Sequence, residues 1–219
     1  MIKDECHSLE AFARRLDETA FTRCIELLLE AARERCKIFV TGIGKSRQIG
    51  DKIAATIRST GVTALELDAV SALHGDLGMV ASGDVVIALS YSGTTAEILT
   101  LAETLDLVPV QMIAVTGNPE SPLASRAAVH LNVAVDREAC PLNLAPTSSA
   151  LCMLALGDAI AMTLMSARKV DRTEFARNHP AGALGRGLTL RAEQMMRPLN
   201  RIVVVARDQS VNEAVDAMN

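Results

Sequence analysis

The sequence predicts an α/β fold, a doubly wound parallel sheet of five strands flanked by helices. Three observations point to it. Five short apolar runs are separated, for the most part, by stretches of helical periodicity, the alternation that builds a parallel sheet. The clearest run, Val85-Val-Ile-Ala-Leu89, is apolar at every position, as expected of a strand covered on both faces. Glycine and hydroxyl residues also gather where strands hand over to helices.

Leu9, Phe12 and Leu16, then Phe21, Cys24, Ile25 and Leu28, recur at three and four, so residues 8 to 35 read as one or two amphipathic helices ahead of any strand. Strands are expected at Lys37 to Thr41, Thr63 to Leu67, Asp84 to Ser90, Val110 to Thr116 and Val129 to Val135. The helix after the first strand carries Ile49, Ile53 and Ile57 on one face and stops at Gly61, and the one after the third carries Ile98, Leu101, Ala102 and Leu105. A helix from about Ser148 to Ala167 is apolar nearly all round, which suits burial against the sheet or a subunit interface. Past Pro180-Ala-Gly-Ala-Leu-Gly-Arg-Gly187 the texture changes. A second unit is expected from residue 189, with a helix over Asp208 to Met218, giving two parts at 1–188 and 189–219.

Composition narrows the function classes. At 219 residues and 49% hydrophobic content the chain can bury a sizeable core. A net charge of -4 and 2% aromatics leave neither a cationic track nor a stacking platform, so nucleic acid is not an expected partner. The five cysteines are odd in number and widely spaced, as reduced cytosolic thiols are. With no basic-then-apolar leader and no stretch read as a membrane span, a cytoplasmic protein without a membrane partner is expected.

The chemistry is concentrated in five segments. In Ser90-Tyr-Ser-Gly-Thr-Thr-Ala-Glu97 a strand runs into hydroxyls and one glycine and then opens a helix. Ser90, Ser92, Gly93 and Thr95 could cradle a phosphate monoester on unpaired backbone N–H groups, or simply cap the helix. Val40-Thr-Gly-Ile-Gly-Lys-Ser46 lacks the leading glycine of a P-loop, since position 39 is Phe. Gly42 and Gly44 instead make a tight turn that sets Lys45 beside an anionic oxygen, with Ser46 donating at the helix start. His74-Gly-Asp-Leu-Gly78 places a histidine in a glycine-rich loop, as a functional or a structural residue. Glu138 is followed by Thr147, Ser148 and Ser149, a third hydroxyl cluster at a helix start, where one hydroxyl would suffice for capping. His179 stands at a helix end before a Pro/Gly loop, as a cap or as a functional group.

Taken together, Gly42-Ile-Gly-Lys-Ser46, His74-Gly-Asp-Leu-Gly-Met79, Ser90 to Glu97, Glu138 to Ser149 and His179-Pro-Ala-Gly-Ala-Leu-Gly185 resemble the sugar isomerase (SIS) domain, and within it the D-arabinose 5-phosphate isomerases. The resemblance covers roughly residues 5 to 190. Met195-Met-Arg-Pro198 and Ser210 to Met218 resemble the opening of a CBS module, which commonly follows in that family. The resemblance implies sheet order 2-1-3-4-5, a homotetramer with shared active sites, and reversible conversion of D-ribulose 5-phosphate to D-arabinose 5-phosphate for 3-deoxy-D-manno-octulosonate synthesis. It implies catalytic roles for Lys45, Glu97, Glu138 and His179. Glu138 would be the base at C1/C2, His179 a proton shuttle, Lys45 an enediolate stabiliser, and Glu97 an orienting group or the competing base. Gly44, Ser46, His74, Ser90, Ser92, Gly93, Thr95, Thr147 and Ser148 would bind substrate. An enediol route needs no metal and no cofactor.

Several positions depart from the family pattern, which has Gly at Arg47, Asn at Tyr91, and a His-Pro-x-Glu run in place of Asp68-Ala-Val-Ser71. Arg47 and Tyr91 adjoin the two loops, where they would narrow the pocket or add a phosphate contact. Another phosphosugar isomerase, or a regulator that binds phosphosugars without turnover, stands as the alternative.

Overall fold

In the computed structural model, residues 1–180, 182, 193, 196–198 and 201–218 are described. The expected boundary at 188/189 lies outside them. Five parallel strands form one sheet: β1 (Ile38–Gly42), β2 (Ala64–Glu66), β3 (Val85–Leu89), β4 (Gln111–Thr116) and β5 (Val129–Asn132), in the order β2-β1-β3-β4-β5. The expected alternation of strand and helix, and the order, are both found.

Side chains along each strand alternate between two cores. Ile38, Val40, Val85, Ile87, Leu89, Ile113 and Val115 face α1 (Ile2–Arg15), α2 (Glu18–Arg33), α3 (Lys45–Ser59) and α7 (Ser148–Ala167). Phe39, Val86, Ala88, Met112 and Ala114 face α4 (Ala69–Ala72) and α5 (Ala96–Leu105), with Leu123 of α6 (Pro122–Arg126) in the same core. Covering both faces is why β1, β3 and β4 carry no polar alternation, whereas the edge strand β5 buries Val129 and Leu131 but not His130 or Asn132. The leading helical region divides at Leu16 because Asp17 caps α2, accepting from the N–H groups of Thr19 and Ala20. The short α6 was not expected, although Ser121 caps it and Pro122 opens it.

The apolar helix expected over Ser148 to Ala167 is found, and it is buried. α7 is 20 residues long with a mean hydropathy of 1.8, enough by length and composition to cross a bilayer. Here it is a core helix. Cys152, Met153, Leu156, Ile160, Ala161 and Leu164 are buried beneath α1 and α3, and its one charge, Asp158, pairs with Lys52 of α3.

At the far end of the sheet Arg168 donates to the Thr60 carbonyl at 2.6 Å and reaches Glu174 of α8 (Arg172–Arg177) at 3.5 Å. Asn178 donates to the Ser59 carbonyl at 3.3 Å. These bonds fasten α8 to the C-terminal end of α3. The final described helix, α9 (Val211–Met218), begins within the expected span, where Ser210 and Glu213 exchange capping bonds.

Candidate active site

β1 and β3 lie side by side with Gly42 opposite Leu89, so the turns that leave them emerge together at the strand C-terminal ends. β2 continues the sheet on one side of that pair and β4 on the other, which makes this the topological switch point, the place where such sheets bind ligands. Gly44 has φ +60 and opens α3 with no side-chain cap. Lys45 follows, exposed. Thr95 opens α5, also without a side-chain cap, so no side chain at that position takes the first N–H groups of the helix, the arrangement that suits an anion.

The loop between β3 and α5 is stiff. Ser90 is buried, its hydroxyl lies 2.8 Å from that of Thr95, and it accepts the N–H of Gly93 at 3.1 Å. Ser92 accepts the N–H of Thr94 at 3.2 Å. Gly93 adopts φ +66, and a Cβ there would stand 2.1 Å from the Ser121 hydroxyl. Only glycine fits this approach. Glu97 is exposed in the first turn of α5, and His74 is exposed just before a short 3-10 turn at Asp76–Met79.

Glu138 is the most constrained of the expected residues. Its Oε2 accepts from the Thr147 N–H at 2.7 Å, the Thr147 hydroxyl at 3.0 Å and the Ser149 N–H at 3.2 Å, while its Oε1 accepts from the Ser149 hydroxyl. Burial pushes this carboxyl up, but the donations from Ser149 and Thr147 more than offset it and hold the group below its ordinary value. Glu138 is therefore an ionised carboxylate at the N-terminus of α7. That binding position is taken by the protein's own anion, whereas the starts of α3 and α5 lack side-chain caps.

Two expected substrate contacts change role accordingly. Thr147 spends its N–H and its hydroxyl on Glu138, and its hydroxyl oxygen also accepts the N–H of Ala139 at 2.9 Å. It orients the carboxylate. Ser148 is fully buried, with no partner for its hydroxyl among the described residues. Ser149, which was not among the expected site residues, supplies the second hydroxyl that donates to Glu138. Its signal was present in the third hydroxyl cluster, where side-chain direction decides which member serves.

The Lys45 turn and the Glu138 segment meet. Lys45, Ser46, Tyr91, Pro146, Ser149 and Met153 border a cavity of about 20 Å³. A ligand pocket is usually roughly 300–1,000 Å³. Roomier hollows of about 390 and 400 Å³ open at the N-terminal ends of the strands, and none of the expected site residues lines them. His179 also stands apart. Its Nδ1 lies 2.8 Å from the Phe175 carbonyl and its ring stacks on Phe175, 4.2 Å between centroids. It follows α8, at the end of α3 opposite Lys45, about 20 Å away along a helix of this length. One chain thus brings together Lys45, Ser46 and the Glu138 cluster beside the Ser90 loop, but not His179.

The departures from the family pattern are also placed. Arg47 does not reach toward the Ser90 loop. It pairs with Glu66 and, at 2.7 Å, with Asp68. Tyr91 accepts the N–H of Val135 on its hydroxyl at 3.2 Å and packs over Gly117, tying the Ser90 loop to the segment leading to Glu138. Among the described residues no group of three or more His, Cys, Asp or Glu side chains is arranged to hold a metal.

Similarity to known proteins falls on the same region. Arabinose 5-phosphate isomerase KdsD of Pseudomonas aeruginosa is 49% identical over 176 residues, covering 80% of this chain and 53% of that protein. KdsD of Francisella tularensis is 44% identical over 211 residues, covering 96% and 64%. The chain therefore spans between about half and two thirds of the length of these curated relatives. Among solved structures, Escherichia coli CFT073 c3406 in complex with arabinose 5-phosphate superimposes with a TM-score of 0.77 at 36% identity, covering 82% of this chain and 93% of that one. Residues 32–163, from the end of α2 through most of α7, match the SIS domain, and the chain belongs to the SIS domain family.

Proposed function

We propose that the protein is an aldose–ketose isomerase interconverting D-ribulose 5-phosphate and D-arabinose 5-phosphate through an enediolate. The observation that carries this reading is Glu138, a carboxylate kept ionised by Thr147 and by Ser149, which borders the same small cavity as Lys45. Binding a phosphate monoester requires no such group. Relatives named arabinose 5-phosphate isomerase at 44% and 49% identity support the choice of sugar.

The phosphate is held at the uncapped start of α5 by the Ser90–Thr95 loop, with Ser46 donating from α3. Glu138 moves the proton between C1 and C2. The four donors that orient it also lower its basicity, so substrate entry displaces one of the two hydroxyls, and that of Ser149 is the less tied, since the Thr147 hydroxyl also accepts the Ala139 N–H. Lys45 stabilises the enediolate oxygen, His74 borders the sugar, and Glu97 orients the intermediate. His179 shuttles protons in the site of another copy, because its own site lies at the opposite end of α3. That arrangement fits a homotetramer with shared sites. It also fits a cavity near Lys45 too small for a sugar within one chain. The product feeds 3-deoxy-D-manno-octulosonate for lipopolysaccharide or capsule in the cytoplasm, and residues 189–219 begin a CBS module after an isomerase domain at 1–188.

A specific observation favours a second reading. A carboxylate with four hydrogen bonds could serve as a helix cap in a regulator that binds phosphosugars without turnover. Following the loss of ketose over the full chain, with ribulose 5-phosphate and with other ketose phosphates, separates the two. Conversion of ribulose 5-phosphate supports the proposal. Conversion of a different sugar alone overturns the substrate, and binding of phosphosugars with no conversion favours the regulator.

A further inference from the structure

Arg47 occupies an unfavourable place. It lies in the first turn of α3, where the positive end of the helix dipole disfavours a cation, and its side chain is about half exposed. Two carboxylates from the following segment hold it there. Its Nε donates to Glu66 Oε1 at the end of β2, and its Nη1 stands 2.7 Å from Asp68 Oδ2. Burial and the neighbouring Asp51 carboxyl raise the pKa of Glu66, and the Arg47 guanidinium is the cation that offsets this crowding.

Asp68 acts twice. While Oδ2 takes Arg47, Oδ1 accepts the N–H of Ser71 at 2.7 Å and caps α4. The N–H of His74 then donates to the Ser71 carbonyl at 2.9 Å. A continuous path of covalent and hydrogen bonds runs from Lys45 through Arg47, Asp68 and Ser71 to His74. Otherwise α4 packs on α5 and the 3-10 turn, on the other side of the sheet from α3. A planar guanidinium fork fixes orientation as well as distance, which a single ammonium does not.

We propose that Arg47 is a positioning residue, which, clamped by Glu66 and Asp68, fixes the His74 loop against the Lys45 turn so that both address one bound phosphosugar. This rests on the isomerase reading above. Because the phosphate is held by a separate loop at residues 90–95, the clamp governs the reactive end of the sugar and not its anchorage.

The test combines hydrogen–deuterium exchange with steady-state turnover of ribulose 5-phosphate, on the full chain and on Arg47→Ala, Arg47→Lys and Asp68→Asn. In Arg47→Ala, exchange rises across residues 67–79 and stays unchanged in β3. Its kcat falls on the order of 10- to 100-fold while KM stays within about twofold, as expected when reacting groups are misplaced but binding is kept. Arg47→Lys recovers part of the loss, and Asp68→Asn, which keeps a cap but drops the charge, reproduces part of it. Unchanged exchange in Arg47→Ala overturns the clamp. Raised exchange with kcat unchanged overturns its role in catalysis. Failure of the unaltered chain to turn over any pentose phosphate defeats the isomerase reading and with it the catalytic role, while exchange still decides whether Arg47 holds the loop.

Discussion

Glu138 is held by Thr147 and Ser149 through four donated hydrogen bonds. A glutamine there keeps the shape but turns an NH₂ toward a donor. Glu138→Gln is expected to lower kcat by about 10²- to 10⁴-fold, the range for loss of a positioned acid–base group. Its secondary structure by circular dichroism should be retained. Glu97→Gln, at an exposed position, should cost less, and the reverse order would make Glu97 the base. The pH dependence of stability follows from the same bonds. Because the folded-state pKa of Glu138 is depressed, its stabilisation is present above the unfolded-state value of about 4.3 and is lost as pH falls through the folded-state value. The melting temperature of the unaltered chain should therefore exceed that of Glu138→Gln at neutral pH and approach it in acid. Thiol chemistry gives a further check. Burial pushes Cys24 up to about 12 and Cys152 up to about 11, whereas Cys6 is exposed. A thiol reagent at neutral pH should label Cys6 in the native protein and leave Cys24 and Cys152 until it unfolds.

Among the elements, the two interfaces that position the site depend on missing side chains. Gly93 lets the Ser90 loop lie against Ser121, so Gly93→Ala should distort the phosphate cradle. We expect KM to rise on the order of tenfold, about 1.4 kcal/mol of lost binding, with a smaller effect on kcat. Gly157 lets α7 approach α3, and a Cβ there would meet Ile53 at 2.2 Å. Gly157→Ala should cost about 1–3 kcal/mol in chemical denaturation, as overpacking does. The central strands were legible because a sheet covered on both faces writes itself as nearly unbroken apolar runs, and α7 because its length and composition leave little choice. α6 was not, since five residues are too few to show a period. Nor was the division of labour among Thr147, Ser148 and Ser149, which depends on how the preceding loop brings Glu138 back over the helix. Arg47 adjoins the Lys45 turn in sequence, yet it points toward β2, a direction set by carboxylates 19 and 21 positions further along.

At the scale of the whole molecule, His179 shows what sequence order hides. It follows α8, which Arg168 and Asn178 fasten to the far end of α3, so under the proposed mechanism the acid–base groups of one site would come from two copies. Mixing inactive Glu138→Gln and His179→Ala chains should therefore regenerate activity as subunits exchange, because some sites receive an intact Glu138 from one chain and an intact His179 from the other. No recovery in mixtures proven to contain both chains would place each site within a single chain. The central claim, proton transfer between C1 and C2 of a pentose phosphate, is tested most directly by a ¹³C NMR time course with D-ribulose 5-phosphate in D₂O. The account predicts D-arabinose 5-phosphate carrying deuterium at C2. Neither conversion nor exchange of the substrate with solvent would contradict it.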